Sequence, residues 1–357
     1  MGNKRILVYS VIAAILAALI YLQFRTWKNF DWPTFWGQWQ QVNPRHILQA
    51  IGLIYFTYVL RALRWKLFLQ PVRRSISTTG LVSATLVGFT GLALLGRPGE
   101  LIRPYLIARR ADLTFSSQMA VWAVERIFDI AGFTVLIVLA IFLPTQLHHL
   151  PNPEIYPRLR VGGFLLVALV VGLTLVMLLV AKSGEALAAW IEVRFSHLAK
   201  NFGHRVAQRL REFQSGLDTI HSPASFLQLA LVSILMWWII ALAYREVTHA
   251  YGVPLQHMTV SKVLLLMGSS MLGSLIQLPG VGGGSQLATI SALHHIFNAT
   301  PELAASCGIL LWLVTFVAVV PIGLLLAHRE RLSLRKLSDE SEQEEARAEM
   351  SPSPPPA

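Results

Sequence analysis

Apolar stretches of about 20 residues recur along this chain, at roughly 6 to 24, 47 to 69, 80 to 96, 118 to 143, 161 to 181, 225 to 244, 262 to 278 and 303 to 327, with a further one at 285 to 297. Stretches of that length match the hydrocarbon thickness of a bilayer, where only structures that satisfy their own backbone survive. The expected fold class is therefore an all-α polytopic membrane protein. Composition agrees: 54% of the residues are hydrophobic and 14% charged, with a mean hydropathy of +0.54. The formal charge of +11 sits in short loops beside the apolar segments, where it sets orientation and meets anionic headgroups, so no nucleic-acid partner is expected.

Taking all eight segments as spans gives 12 Lys and Arg inside and 13 outside, which erases the positive-inside bias. The loop 182 to 224, carrying Lys182, Arg194, Lys200, Arg205, Arg209 and Arg211, is the main offender. If 80 to 108 and 262 to 299 are instead re-entrant hairpins, the counts become 17 inside and 7 outside. The expectation is about six full transmembrane helices plus two broken helical hairpins that enter from opposite faces, arranged as an inverted repeat. Both termini then lie in the cytoplasm, in the inner membrane. Residues 1–327 form the membrane domain, with helices at the cytoplasmic interface over 183–221, and 328–357 a basic, then acidic and proline-rich tail. Lys4, Arg5 and the apolar run after them read as an uncleaved anchor, and Trp27, Trp32, Trp36 and Trp39 as interfacial anchors.

The hairpins turn at similar words. "LLGRPGE" places Pro98 and Gly99 at the first break, and "LIQLPGV" places Pro279 and Gly280 at the second. Proline removes a backbone donor and glycine disfavours helix, so each break is expected to line a cavity. Around the first turn, Arg97, Glu100 and Arg103 suit an anionic headgroup; snorkelling arginines at an interfacial turn are the plainer reading. After the second turn, Gly282, Gly283, Gly284, Ser285 and Gln286 open a helix whose free N–H groups suit an anion, or else allow close helix packing.

Ionisable residues inside spans are costly and usually face a cavity or a partner. Arg61 and Arg64 lie three apart in one span; Glu125 and Asp129 lie four apart in another, with Arg126 beside them. Arg61 and Glu125 are level in depth, so an Arg61–Glu125 pair is expected, or a network that also holds Arg64 and Asp129. Such a network either fixes helix register alone or also binds a charged substrate. His148 with His149 and His294 with His295 are adjacent pairs without zinc-helix spacing, no nucleotide fingerprint stands in its required context, and Cys307 is the single cysteine. No metal or cofactor is expected.

These residues carry a resemblance. "LRALRW" (60–65), "GRPGELIRPYLIARR" (96–110), "ERIFD" (125–129) and "LPGVGGGSQ" (278–286) occur in the order found in the lysylphosphatidylglycerol synthase transmembrane family, and the likeness covers about 6–327. The resemblance implies a lipid-translocating unit; in fused members of the family the lipid is an aminoacylated phosphatidylglycerol. No aminoacyl-transferase domain is expected with it, and Gln286 stands where many members carry glutamate.

The expected function is transport of an anionic or zwitterionic lipid, aminoacylated or isoprenoid-linked lipids included, across the membrane. Arg61, Arg64, Arg97 and Arg103 would receive the headgroup, Glu125 and Asp129 would hold those arginines, and Glu100 and Gln286 would orient it. Two alternatives stand beside it. One is a lipid-binding accessory subunit partnered with envelope-lipid biosynthesis proteins. The other is a membrane enzyme using Glu100, Glu125 or Asp129 as base, though no catalytic motif appears.

Overall fold

The computed structural model describes residues 30–70, 76–142, 155–195, 222–274 and 283–329, with a few further positions at 206–211 and 340–343. The first apolar segment, Trp27, His148 and His149, Pro279, Gly280 and Gly282, residues 196–205 and 212–221, and nearly all of the tail lie outside the described residues. Among the described residues the regular structure is helical: α1 (Trp32–Gln40), α2 (Pro44–Leu69), α3 (Thr78–Leu95), α4 (Ile102–Ala111), α5 (Phe115–Phe142), α6 (Ile155–Phe195), α7 (Pro223–His249), α8 (Val260–Gly273), α9 (Gly283–His295), α10 (Pro301–Trp312) and α11 (Val320–Arg329). The chain is an all-α polytopic membrane protein.

Among the described residues, five helical segments are long and apolar enough to cross a bilayer: Pro44–Leu69, Thr78–Leu95, Tyr156–Val176, Pro223–His249 and Pro301–Arg329. Helix α5, with 28 residues, is long enough too, but Glu125, Arg126 and Asp129 lower its apolarity. The length of α3 alone would make it a span, yet the chain doubles back after it. Arg110 at the end of α4 donates to the Gly80 carbonyl near the start of α3, so both arms open at one end of the bundle. That end, here called lower, also holds the C-terminus of α2 and the N-termini of α5 and α7; the upper end holds Asn43, whose N–H donates to Ala250 O, and the start of α8. Helix α6 is peripheral, with 6% of its apolar window buried, and it kinks at Ser183, the residue at which the interfacial segment was expected to begin.

The first turn is built by glycine. Gly96 adopts φ 72°, which side chains other than glycine rarely tolerate. A Cβ on Gly99 would fall 2.2 Å from the Gly91 carbonyl carbon, so only glycine lets the tip press onto α3. The second hairpin pairs α8 with α9 and opens at the upper end. There Gly273 fills the same role, since its Cβ would stand 2.2 Å from Gly284 O. At 14 and 13 residues, α8 and α9 are about 20 Å long and fall short of the roughly 30 Å of hydrocarbon.

The element order long helix, hairpin, long helix therefore occurs twice, as α2, α3–α4, α5 and as α7, α8–α9, α10–α11. The packing is reciprocal: α2 and α7 lie antiparallel against each other, α5 packs on α7 and α8, and α11 packs on α3. The last segment winds as a π-helix over Leu313–Val317, just before Pro321, whose ring excludes a regular turn and which offers no N–H to residue 317. Hydroxyls serve the disturbed backbone from the other repeat. Tyr55 donates to Ala318 O at 2.6 Å, and Thr90 lies 3.3 Å from Val319 O. At the upper end α1 lies against α10, with Trp32 and Trp36 exposed. Hydrogen bonds from Thr34 to the N-cap carboxylate of Asp31 hold that group below the usual carboxylate range.

Candidate functional site

Helices α2, α4 and α5 bring six of the singled-out residues into one buried cluster. Arg64, fully buried, is its centre. Its Nη2 donates to Glu125 Oε1 at 2.7 Å, and its Nη1 donates to Asp129 Oδ1 at 2.7 Å and to Ser233 Oγ of α7 at 2.8 Å. Arg103 grips Glu125 with both terminal nitrogens, one reaching Oε1 at 3.1 Å and the other Oε2. Arg126 reaches Glu125 Oε2 and Asp129 Oδ2, each at 3.4 Å. The helical spacing of Glu125 and Asp129 is what aims both carboxylates at the α2 face.

The network reading of these charges is what the fold contains, but the direct Arg61–Glu125 pair is not. Arg61 lies 3.8 Å from Asp129, and Glu125 is taken by Arg64 and Arg103. The reason is the second hairpin arm: α4 delivers Arg103 to Glu125 and leaves Arg61 one turn up α2, over the Phe89 ring at 4.9 Å. Arg103 itself stacks on Trp65 at 4.4 Å, with Trp65 Nε1 fixed by Gln118 Oε1 at 3.0 Å. Gly88 makes this possible, since a Cβ there would sit 2.5 Å from the Arg103 Cβ.

Four guanidiniums face two carboxylates, leaving two positive charges in excess before Glu100 is counted. Asp129 Oδ2 and the Nε atoms of Arg64 and Arg126 are buried without a hydrogen-bond partner among the described residues. A small cavity of about 50 Å³ opens beside the cluster, lined by Gly88, Phe89, Leu92, Glu100, Arg103, Trp122 and Arg126. Arg126 is partly exposed there, with 39% of its side chain accessible. Arg97 and Pro98 stand exposed on the hairpin tip, outside the buried cluster, while Gly99 is buried against α3.

The second hairpin contributes a neutral counterpart. Ser285 and Gln286 at the start of α9 line a recess with Tyr244, Ser270, Thr289, Trp312 and Thr315. Tyr244 Oη and Ser270 Oγ are 3.5 Å apart, and Thr289 and Thr315 bond back to their own helices. Gly283 and Gly284 form the first turn of α9, Gly284 against Gly273. The two recesses share no lining residue.

Several partners in the cluster carry little signal in the sequence. Ser233 reads as a lone hydroxyl in an apolar span, and Trp65, Phe89 and Trp122 read as packing residues. Trp65 beside Arg64 and Trp122 one turn before Arg126 carry a hint, since arginine gains from an aromatic face when water is scarce, and Phe89 carries none.

Comparison with known proteins places this architecture. A UPF0104 membrane protein of Methanothermobacter thermautotrophicus is 22% identical over 292 residues, covering 80% of this chain and 85% of that protein. No solved structure matches. The model of the lysylphosphatidylglycerol synthase TM region matches residues 6–323, the span that holds both hairpins and the buried charge cluster, and the chain belongs to that family.

Proposed function

We propose that the protein moves a lipid with an anionic or zwitterionic headgroup across the cytoplasmic membrane, with the lower end of the bundle facing the cytoplasm. The observation that carries this reading is the excess positive charge held inside the bundle at the tip of a hairpin, next to a cavity. A charge in hydrocarbon costs about 2.5–3.5 kcal/mol on insertion scales, so four arginines against two carboxylates make sense where an anion is to be received. Arg103 and Arg126 border the cavity and receive the phosphate. Glu125 and Asp129 keep the guanidiniums apart and aimed, while Arg64 ties the cluster to α7 through Ser233.

Two broken hairpins entering from opposite ends suit alternating access, with one repeat rocking against the other. The polar groups around Gln286 and Ser285, whose recess measures about 10 Å³ here, would meet the hydroxyl or amine portion of the headgroup once the repeats rock apart. This reading needs no bond to be made or broken, so the protein acts as a carrier rather than an enzyme. Proteins that make or consume such lipids at the same membrane are the expected partners.

The test is reconstitution. Full-length protein in vesicles with a fluorescent phosphatidylglycerol in one leaflet should speed its appearance in the other, and Arg126→Gln should remove the gain. Rates equal to those of protein-free vesicles, across phosphatidylglycerol, aminoacylated phosphatidylglycerol and phosphatidylethanolamine probes, would contradict the reading.

A further inference from the structure

A cavity with Arg245 in its wall lies at the upper end, far from the arginine cluster. It measures about 690 Å³ and is walled by α5, α7 and the loop leading into α8. That volume is within the roughly 300–1,000 Å³ of ligand sites. Its polar part is formed by Arg245, His249, Gln256, His257, Thr259 and Ser261, without a carboxylate among the lining residues. The Arg245 guanidinium and the His257 ring make no hydrogen bond or ion pair among the described residues, whereas His249 Nε2 is within 3.0 Å of Met258 O. Thr259, the N-cap of α8, makes no capping bond, and its hydroxyl is buried without a partner among the described residues. Thr259, Val260 and Ser261 of that uncapped helix start line the same cavity as Arg245, at the positive end of the helix dipole.

The other part of the cavity is apolar, formed by Leu136, Leu139, Ala140, Trp238 and Leu264. It continues as a seam between α5 and α7. One turn down, Val135 and Ile234 belong to a second apolar recess with Phe128, Ala131 and Phe226. From Leu136 to Phe128 the seam runs about 12 Å along the helix, the reach of a substantial part of an acyl chain. Leu139 is 48% exposed and Trp238 40%, so the seam opens onto the surface that faces lipid.

We infer that this cavity is a binding site for an anionic phospholipid of the leaflet at the upper end, with its phosphate against Arg245, His257 and the start of α8 and an acyl chain in the α5/α7 seam. Charge complementarity selects that occupant: the Arg245 guanidinium, with no carboxylate among the lining residues, the His257 ring and a positive helix end meet at the mouth of an apolar groove. The site is separate from the arginine cluster and stands whether or not that cluster transports lipid.

Native mass spectrometry of the full chain, titrated with phosphatidylglycerol or phosphatidylcholine, tests the headgroup. Each cationic contact near a membrane surface is worth about 1 kcal/mol, so phosphatidylglycerol should bind at least about fivefold tighter, and Arg245→Gln with His257→Gln should bring it down to the phosphatidylcholine level. Arg245→Lys should keep the preference, which separates lost recognition from a damaged fold. Equal binding of both lipids by the wild type, or an unchanged preference in the double variant, overturns the site. Independently, a photoactivatable phosphatidylglycerol should label wild-type residues in 135–139 and 234–238, with labelling unaffected by Arg126→Gln. No adduct there under saturating probe would mean that another occupant, residues 6–24 of the same chain or a second copy, fills the groove, and would equally overturn the proposal.

Discussion

The two hairpins use one backbone device and opposite chemistries. In each, glycine lets antiparallel arms touch: Gly99 against Gly91 in the first, Gly273 against Gly284 in the second. The first hairpin then carries Arg103 and Glu100 to a buried cluster of charge, while the second presents Ser285, Gln286 and hydroxyls. Backbone geometry therefore sets where each turn lies, and side chains set the chemistry it presents. A buried ion cluster is a poor source of stability, because desolvation offsets most of its attraction, whereas removing one partner is expensive. That asymmetry predicts that the two hairpins answer mutation very differently.

The largest effect should come from Glu125→Gln, which leaves Arg64 and Arg103 without their shared carboxylate and should cost about 3–5 kcal/mol. Thermal unfolding in detergent would show it as a large fall in midpoint, and Gln286→Ala, in the neutral hairpin, should change stability by less than about 1 kcal/mol. Similar losses in both variants would erase the contrast. Next come Gly99→Ala and Gly273→Ala, each of which drives a methyl into facing backbone and should cost about 1–3 kcal/mol. Here the hairpins should behave alike, because the device is shared. Tyr55→Phe, which removes the donor to Ala318 O beside the π-turn, should cost about 0.5–1.5 kcal/mol in the same assay. The smallest stability change, under about 1 kcal/mol, is expected for Arg126→Gln, whose side chain is partly exposed and whose ion pairs are long.

Much of the fold is legible in the sequence, and the physics says why. Apolar length and the distribution of basic loops are properties of the chain itself, so the helical class and the two hairpins can be read from the residues alone. Thr78–Leu95 is long enough to pass for a span, and only the return of Arg110 to Gly80 shows it as an arm. The cluster is readable as a set because Arg61, Arg64, Glu125 and Asp129 share depth and face. Its pairing is not. Depth along each helix fixes one coordinate, while rotation about the helix and the arrival of Arg103 on α4 decide which carboxylate each arginine meets. Ser233 and the cavity at Arg245 are hidden for the same reason, since they depend on how α7 packs against elements far away in sequence.

The role proposed for the charged hairpin is to hold a lipid headgroup. The most direct measurement is mass spectrometry of the lipids that copurify with the wild-type protein and with Arg126→Gln, each normalised to the bulk membrane. Because Arg126 borders the cavity yet contributes little to stability, the account predicts that one class of anionic or zwitterionic lipid is enriched with the wild type and lost from the variant at unchanged yield. Bulk-like lipid with both proteins, or the same enrichment with both, would contradict it and leave the cluster as a device that fixes helix register.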